Sequence, residues 1–251
     1  MRPSLTAVAL LLLLHAYGTN AADFAAKGVA PPTPVADYDF LGWLGDALGN
    51  GPVLERIGGP GTGYVEVTAD GNTRLVLSVP EGAGLRLASG PLLPLDTYSI
   101  AMIVSLSSTN SYAKLLDTNA LTVDSGLYAR NNQLRYYTAG QATSTSFPDG
   151  VLRQVVVTRA ANGTYTGYLD GFQQFSFDDS TAGQGTPISA QRLLHFLRDD
   201  DITGNSEESN AVIHRIRLFD SALSAAQVAA LEANRGDLVS LFRRGNFEST
   251  P

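Results

Sequence analysis

The stretch QVVVTRAANGTYTGYLDGFQQFSFDD, Gln154 to Asp179, decides how the rest of the chain reads. Gln154 to Arg159 is short and β-branched, Ala160 to Gly163 offers a turn, and Thr164 to Leu169 is a second β-rich run. Asp170-Gly171 is then a two-residue hairpin signal ahead of Phe172 to Phe177. The spacing predicts a meander of three consecutive antiparallel strands. Aromatic residues fall on both of its faces, so the meander cannot be stable alone and needs a second sheet packed against it.

Working outward, the clearest further strand is Thr97 to Leu106. Tyr98, Ile100, Met102, Val104 and Leu106 share one parity, and Thr97, Ser99, Ala101 and Ser105 share the other, which predicts one buried and one nearly polar face. Tyr64 to Val79 reads as a hairpin about Asp70-Gly71, with Val65, Val67, Leu75, Leu77 and Val79 assigned to one face by parity. Asn131-Asn132 tolerates positive φ and predicts a tight turn between Tyr128 and the run Leu134 to Tyr137. The glycines at Gly58 to Gly63 do not make a phosphate loop, because Tyr64 stands where Lys and Ser or Thr are required. Ala211 to Asp220 is again β-like, and Ser224 caps a helix through Val228, Ala229 and Leu231 to Asn234, ending at Gly236. Many short strands and one helix predict an all-β fold, an antiparallel two-sheet jelly-roll sandwich with one short C-terminal helix.

The ends are different in character. Met1-Arg2, the apolar run Ala7 to Leu14 and the small residues up to Ala22 have the layout of a secretory signal peptide over residues 1–22, too short in its apolar part to span a bilayer. Residues 23–37, with Pro31, Pro32 and Pro34, read as an extended spacer. The sandwich is expected over 38–236 and a short tail over 237–251. The chain has no cysteine, so an exported, secreted or periplasmic protein of this composition is held by its core alone, and a monomer is expected. A net charge of −7 with 17 Lys and Arg argues against nucleic acid as a partner.

Several of these segments together resemble a known family. Asp124 to Tyr128, Val155 to Arg159, Gly167 to Gly171 with Gln173 to Phe177, Phe196 with Asp199-Asp200, and Arg215 to Ser224 are similar to the bacterial laminin-G-like jelly rolls of the concanavalin A-like lectin/glucanase superfamily. The resemblance covers roughly Tyr38 to Leu231. It implies a concanavalin A-like sandwich in which calcium-binding loops are frequent. His214 stands where relatives often carry an acid, and Leu152 or Val151 stands where they carry Trp.

Three kinds of chemistry compete for a site. The loop Asp199 to Glu208 concentrates oxygen ligands, and Asp199, Asp200, Asp201 and Glu207 are the candidates to hold Ca2+; the alternative is a solvated acidic loop. Asp199, Asp201, Thr203 and Gly204 fall at EF-hand places, but Asn210 stands where the closing Glu belongs. Exposed Tyr136, Tyr137 and Tyr168 with Arg135 are the candidates to stack on and hydrogen-bond a glycan, although period-two alternation turns about half of such rings inward. Catalysis has little to work with. His195 and His214 are the only histidines beyond the leader, His214 shares parity with Val212, Ile216 and Leu218 as a half-buried structural residue would, and no Gly-x-Ser-x-Gly or Glu-x-Asp-x-x-Glu string occurs. The expectation is a non-catalytic binding module for an extracellular glycan or a cell-surface or matrix protein. The alternatives are a structural or adhesive surface protein, and behind it a polysaccharide-cleaving enzyme.

Overall fold

The computed structural model describes residues 29–69, 72–137, 139–141, 146–179, 185–204 and 206–233. The expected leader, the Asp70-Gly71 turn, the helix end at Gly236 and the tail 237–251 lie outside these residues. Numbered along the chain, the strands are β1 (Ala36–Tyr38), β2 (Glu55–Gly58), β3 (Gly63–Ala69), β4 (Asn72–Val79), β5 (Ala83–Ala88), β6 (Tyr98–Leu106), β7 (Ala113–Asp117) and β8 (Gly126–Arg130). They continue as β9 (Gln133–Tyr137), β10 (Gly140–Gln141), β11 (Arg153–Arg159), β12 (Thr164–Leu169), β13 (Phe172–Asp178), β14 (Leu193–Phe196) and β15 (Ala211–Phe219), followed by the helix α1 (Ala225–Ala233).

The strands form two antiparallel sheets, as a jelly-roll sandwich requires. The first runs β13-β12-β11-β6-β15-β4-β3 with β1 also on β15, and the second runs β10-β9-β8-β7-β14-β5-β2. The meander is therefore one flank of the first sheet. Its second turn has Asp170 at φ 49° and Gly171 at φ 83°, the left-handed pair that a two-residue hairpin needs. Between the sheets lies one apolar core that draws Tyr98, Ile100, Met102, Val104 and Leu106 from β6, and Val155 and Val157 from β11. β1 begins at Ala36 and Val35 already donates to the Leu218 carbonyl, so the sandwich takes in the end of the stretch expected to be spacer.

Three local expectations need correction. Tyr64 pairs with Leu77 and Val65 with Val76, so odd residues of β3 share a face with even residues of β4. Tyr64, Leu77 and Val79 consequently meet the core, while Val65 is exposed. The second face of β6 is not polar and solvated: all nine of its residues are buried. α1 and the segment leading into it explain the first half of this face, because Val228 and Leu231 with Leu223 cover Ala101, Val156, Tyr168 and Phe219 on the outside of the first sheet, and Ser99 is hydrogen-bonded to Ser221 and Leu223. Its start is fixed as expected, since the Ser224 hydroxyl accepts the Gln227 N–H at 3.3 Å and the Gln227 side-chain oxygen accepts the Ser224 N–H at 2.9 Å, a reciprocal cap. Finally, a bulge falls between Ile213 and Arg215. It switches the phase of β15, so that Ile213, Ile216 and Leu218 face the core and Val212 does not. His214 at the bulge is buried rather than half-buried.

Among the described residues no helix is long and apolar enough to cross a membrane.

Two outcomes follow for stability. Gly171→Val forces a β-branched residue into positive φ and should lower the thermal midpoint by roughly 5 °C, read by circular dichroism. Burial, reinforced by the charges of Arg74 and Arg215, pushes the His214 imidazole down from 6.5 to about 4. In that window the unfolded chain binds a proton that the folded chain does not, so acidification removes stability, by about 3 kcal/mol in full. Urea unfolding at pH 7 and pH 4 should show the wild type losing about that much more than His214→Leu.

Candidate functional site

The helix covers the outside of the first sheet around Ala101, Val156, Tyr168 and Phe219, and the outside of the second sheet carries no helix among the described residues. Leu127 and Ala129 on β8 and Leu134 and Tyr136 on β9 point into the core. Period two then sends Tyr128, Arg130, Gln133, Arg135 and Tyr137 to the outer face. Register places them side by side, with Tyr128 opposite Arg135, Arg130 opposite Gln133 and Gly126 opposite Tyr137. Asn131 and Asn132, at φ 51° and 58°, make the predicted tight turn that sets this register.

Tyr112, just ahead of β7, is the centre of this surface. Its ring meets Tyr128 at 5.2 Å and Tyr137 at 5.6 Å, both edge to face, the arrangement that ring quadrupoles favour. The Arg130 guanidinium lies 4.2 Å from the Tyr112 centroid, and Arg135 donates to the Tyr112 hydroxyl at 3.2 Å. Tyr112, Arg130, Gln133, Arg135 and Tyr137 are all partly exposed. The result is a firmly packed patch that presents both ring surface and hydrogen-bond donors.

Beneath one edge of the patch lies the acidic loop. Asp199 and Asp200 are fully buried, and between them sits the ammonium of Lys114, itself buried, 3.0 Å from Asp200 Oδ2 and 3.6 Å from Asp199 Oδ1. The same Nζ donates to the Ser125 carbonyl at 2.9 Å and lies 4.3 Å from the Tyr128 ring centroid. The other carboxylate oxygens are also engaged. Asp200 accepts the N–H groups of Ile202 and Thr203, and Asp199 accepts the Thr203 hydroxyl and the Glu207 N–H. Burial raises the pKa of Asp200, but the Lys114 hydrogen bond and charge with these N–H donors outweigh it and hold the carboxyl below its ordinary value. Glu207 and Asp124 go the other way, pushed up by burial and by the neighbouring aspartates.

The sequence-predicted residues thus divide. Asp199 and Asp200 come together, but around a lysine; Asp201 is exposed, and Glu207 is partly buried with its backbone N–H, not its carboxylate, on Asp199. Among the described residues no three Asp, Glu or His side chains are grouped to hold a metal ion. Tyr137 and Arg135 do stand on one open face. Tyr136 and Tyr168 do not: Tyr136 is buried against Tyr165 and donates its hydroxyl to the Gly185 carbonyl at 3.0 Å, and Tyr168 is buried beneath α1. Neither ring can stack on a ligand, because the core and the helix have already taken both.

Sequence reasoning passed over Tyr112, Arg130, Lys114 and Trp43. Lys114 carries a signal, since only Lys27 accompanies it among the 17 Lys and Arg of the chain. Trp43, the single tryptophan, is 52% exposed on the loop between β1 and β2, beside exposed Leu41, Leu48 and Val53. A cavity of about 270 Å³ on the first sheet, between Thr68, Ser105 and Val212, has no charged residue in its lining.

Comparison with known proteins agrees with this architecture. A family model of laminin-G type, described as the Concanavalin A-like lectin/glucanases superfamily, matches residues 80–229. No curated protein matches the chain. Among solved structures, domain 4 of AbnA, a GH43 extracellular arabinanase from Geobacillus stearothermophilus in complex with arabinotriose, has a TM-score of 0.61 at 17% identity, covering 80% of this chain and 98% of that domain. The ligand binding domain of botulinum neurotoxin serotype D with N-acetylneuraminic acid has a TM-score of 0.55 at 13% identity, covering 80% of this chain and 51% of that one. A Trypanosoma rangeli sialidase with 2,3-difluorosialic acid has a TM-score of 0.55 at 15% identity, covering 84% and 35%. At these identities the likeness is one of fold.

Tyr136→Phe should cost no more than about 1 kcal/mol in urea unfolding, because the Gly185 carbonyl loses one donor but keeps the Thr118 hydroxyl and the Asn119 amide, and should leave the outer face unaltered.

Proposed function

The chain belongs to the concanavalin A-like lectin/glucanases superfamily, and from that premise we propose that it is a non-catalytic module that binds an extracellular glycan on the outer face of β8 and β9. One observation carries the reading: Tyr112 and Tyr137 present partly exposed ring surface flanked by Arg130, Gln133 and Arg135, the combination that sugar rings and hydroxyls recognise. The first sheet offers no equal, because α1 covers its outside around Ala101, Val156, Tyr168 and Phe219, and the depression beside Ser105 and Val212 is lined by no aromatic or charged residue. That an arabinanase domain with arabinotriose and a toxin domain with N-acetylneuraminic acid share this fold supports a glycan as ligand class. The leader expected over residues 1–22 fits work outside the cytoplasm, secreted or in the periplasm.

The non-catalytic part rests on the carboxylates. Asp199 and Asp200 are fully buried against Lys114 and the loop donors, which keeps both carboxylates away from a substrate on the surface.

Calorimetric titration with arabino-oligosaccharides and sialylated oligosaccharides tests the proposal. Saturable binding to one series is expected, weakened about tenfold, some 1.4 kcal/mol, by Tyr137→Ala or Arg130→Ala and unchanged by Trp43→Ala. Saturable binding that survives both face variants would move the site elsewhere. Capture of a surface protein with no glycan inhibition would favour the adhesive alternative, and release of reducing ends would make the protein an enzyme.

A further inference from the structure

Families of this fold lead one to expect calcium in an acidic loop, and the residues of the Asp199 loop do not fit it. A calcium ion needs six to eight oxygens at about 2.3–2.6 Å. Here the place between the two buried aspartates is filled by an ammonium, with separations to oxygen of 2.9, 3.0 and 3.6 Å. The first two are ordinary lengths for charge-assisted hydrogen bonds from nitrogen. The Tyr128 ring closes a further side at 4.3 Å.

We infer that Lys114 is a resident cation: its ammonium balances Asp199 and Asp200 in place of a metal ion, and the loop binds no calcium.

Composition and backbone both support the assignment. Fifteen of the 17 basic residues are arginine, and Lys27 lies in the expected spacer, so the sandwich uses its one lysine at this position. A guanidinium is planar and broad, whereas an ammonium is a compact point charge with three donors, the nearer match to a small ion. Gly126 makes room for the stem. At φ 145°, it stands where a Cβ would lie 3.3 Å from Lys114 Cδ and 2.7 Å from the Leu116 carbonyl. The bulge between Lys114 and Leu116 keeps both Leu115 and Leu116 in the core while Lys114 remains opposite Tyr128. The strand also holds the loop directly, since the Lys114 N–H donates to the Glu207 carbonyl at 2.8 Å. A divalent ion entering beside this ammonium would meet like charge in a buried site, where screening is weak.

Thermal unfolding in EDTA and then in millimolar calcium chloride tests the assignment without any glycan. The wild-type midpoint should be the same in both. Lys114→Met leaves two buried carboxylates without a counter-charge and should lower the midpoint by roughly 10 °C or prevent folding. Adding Asp199→Asn and Asp200→Asn to that variant should restore a folded protein with much of the lost midpoint. A wild-type midpoint that rises in calcium, with the rise lost in Asp199→Asn/Asp200→Asn, would overturn the inference, as would a Lys114→Met midpoint equal to wild type. A consequence rests on the glycan reading above: binding should be as tight in EDTA as in calcium. The midpoints decide the ion whether or not a glycan is found.

Discussion

The pairing of the two nine-residue strands β6 and β15 is the constraint on which the rest depends. They lie side by side in the middle of the first sheet, so both faces must be covered by something other than water. The inner face is covered by the second sheet. The outer face is covered by α1 around Ala101 and Phe219, and the chain reaches it by continuing from the end of β15 through Leu223 into the helix. This pairing therefore fixes where the second sheet and the helix must sit, and the outer face of β8 and β9 stays outside the contacts of the helix.

That remaining face is built differently from a core. Its rings meet edge to face, Arg130 and Arg135 lie against the Tyr112 ring, and its edge rests on a buried charge cluster through Tyr128. Buried ion pairs contribute little net stability compared with apolar packing, but breaking one partner is expensive. Such a cluster suits a place where a loop must be held in one position. The Asp199 loop is held in that way, by Lys114 on one side and by Glu208, which accepts from Arg198 and from the Gly82 and Asp199 N–H groups, on the other.

The fold is legible in the sequence wherever a turn is written in residues that demand positive φ. Asp170-Gly171 and Asn131-Asn132 each fix a hairpin and its register. Legibility fails where a distant element decides. Ser99 and Ala101 read as a solvated face because nothing near them announces a helix more than a hundred residues later, and the phase change at His214 is invisible to a parity count. Val65 departs from the expected face because the register of β3 and β4 pairs odd residues of one with even residues of the other. The candidate site is half legible. Leu134 sets the phase of β9 and so commits Tyr136 to the core and Tyr137 to the surface, whereas Tyr112 and Arg130 acquire meaning only once β7, β8 and β9 are adjacent. The role of Lys114 depends on a loop 86 residues further along the chain.

The most direct test of the central claim, that the open face of the second sheet takes the ligand, is a nitrogen-15 chemical-shift titration with the tightest-binding oligosaccharide. Perturbations should gather on Tyr112, Arg130, Gln133, Arg135 and Tyr137 and spare the outside of the first sheet. Perturbations centred on the Trp43 loop or on the depression beside Val212, with the β8–β9 face unmoved, would contradict it.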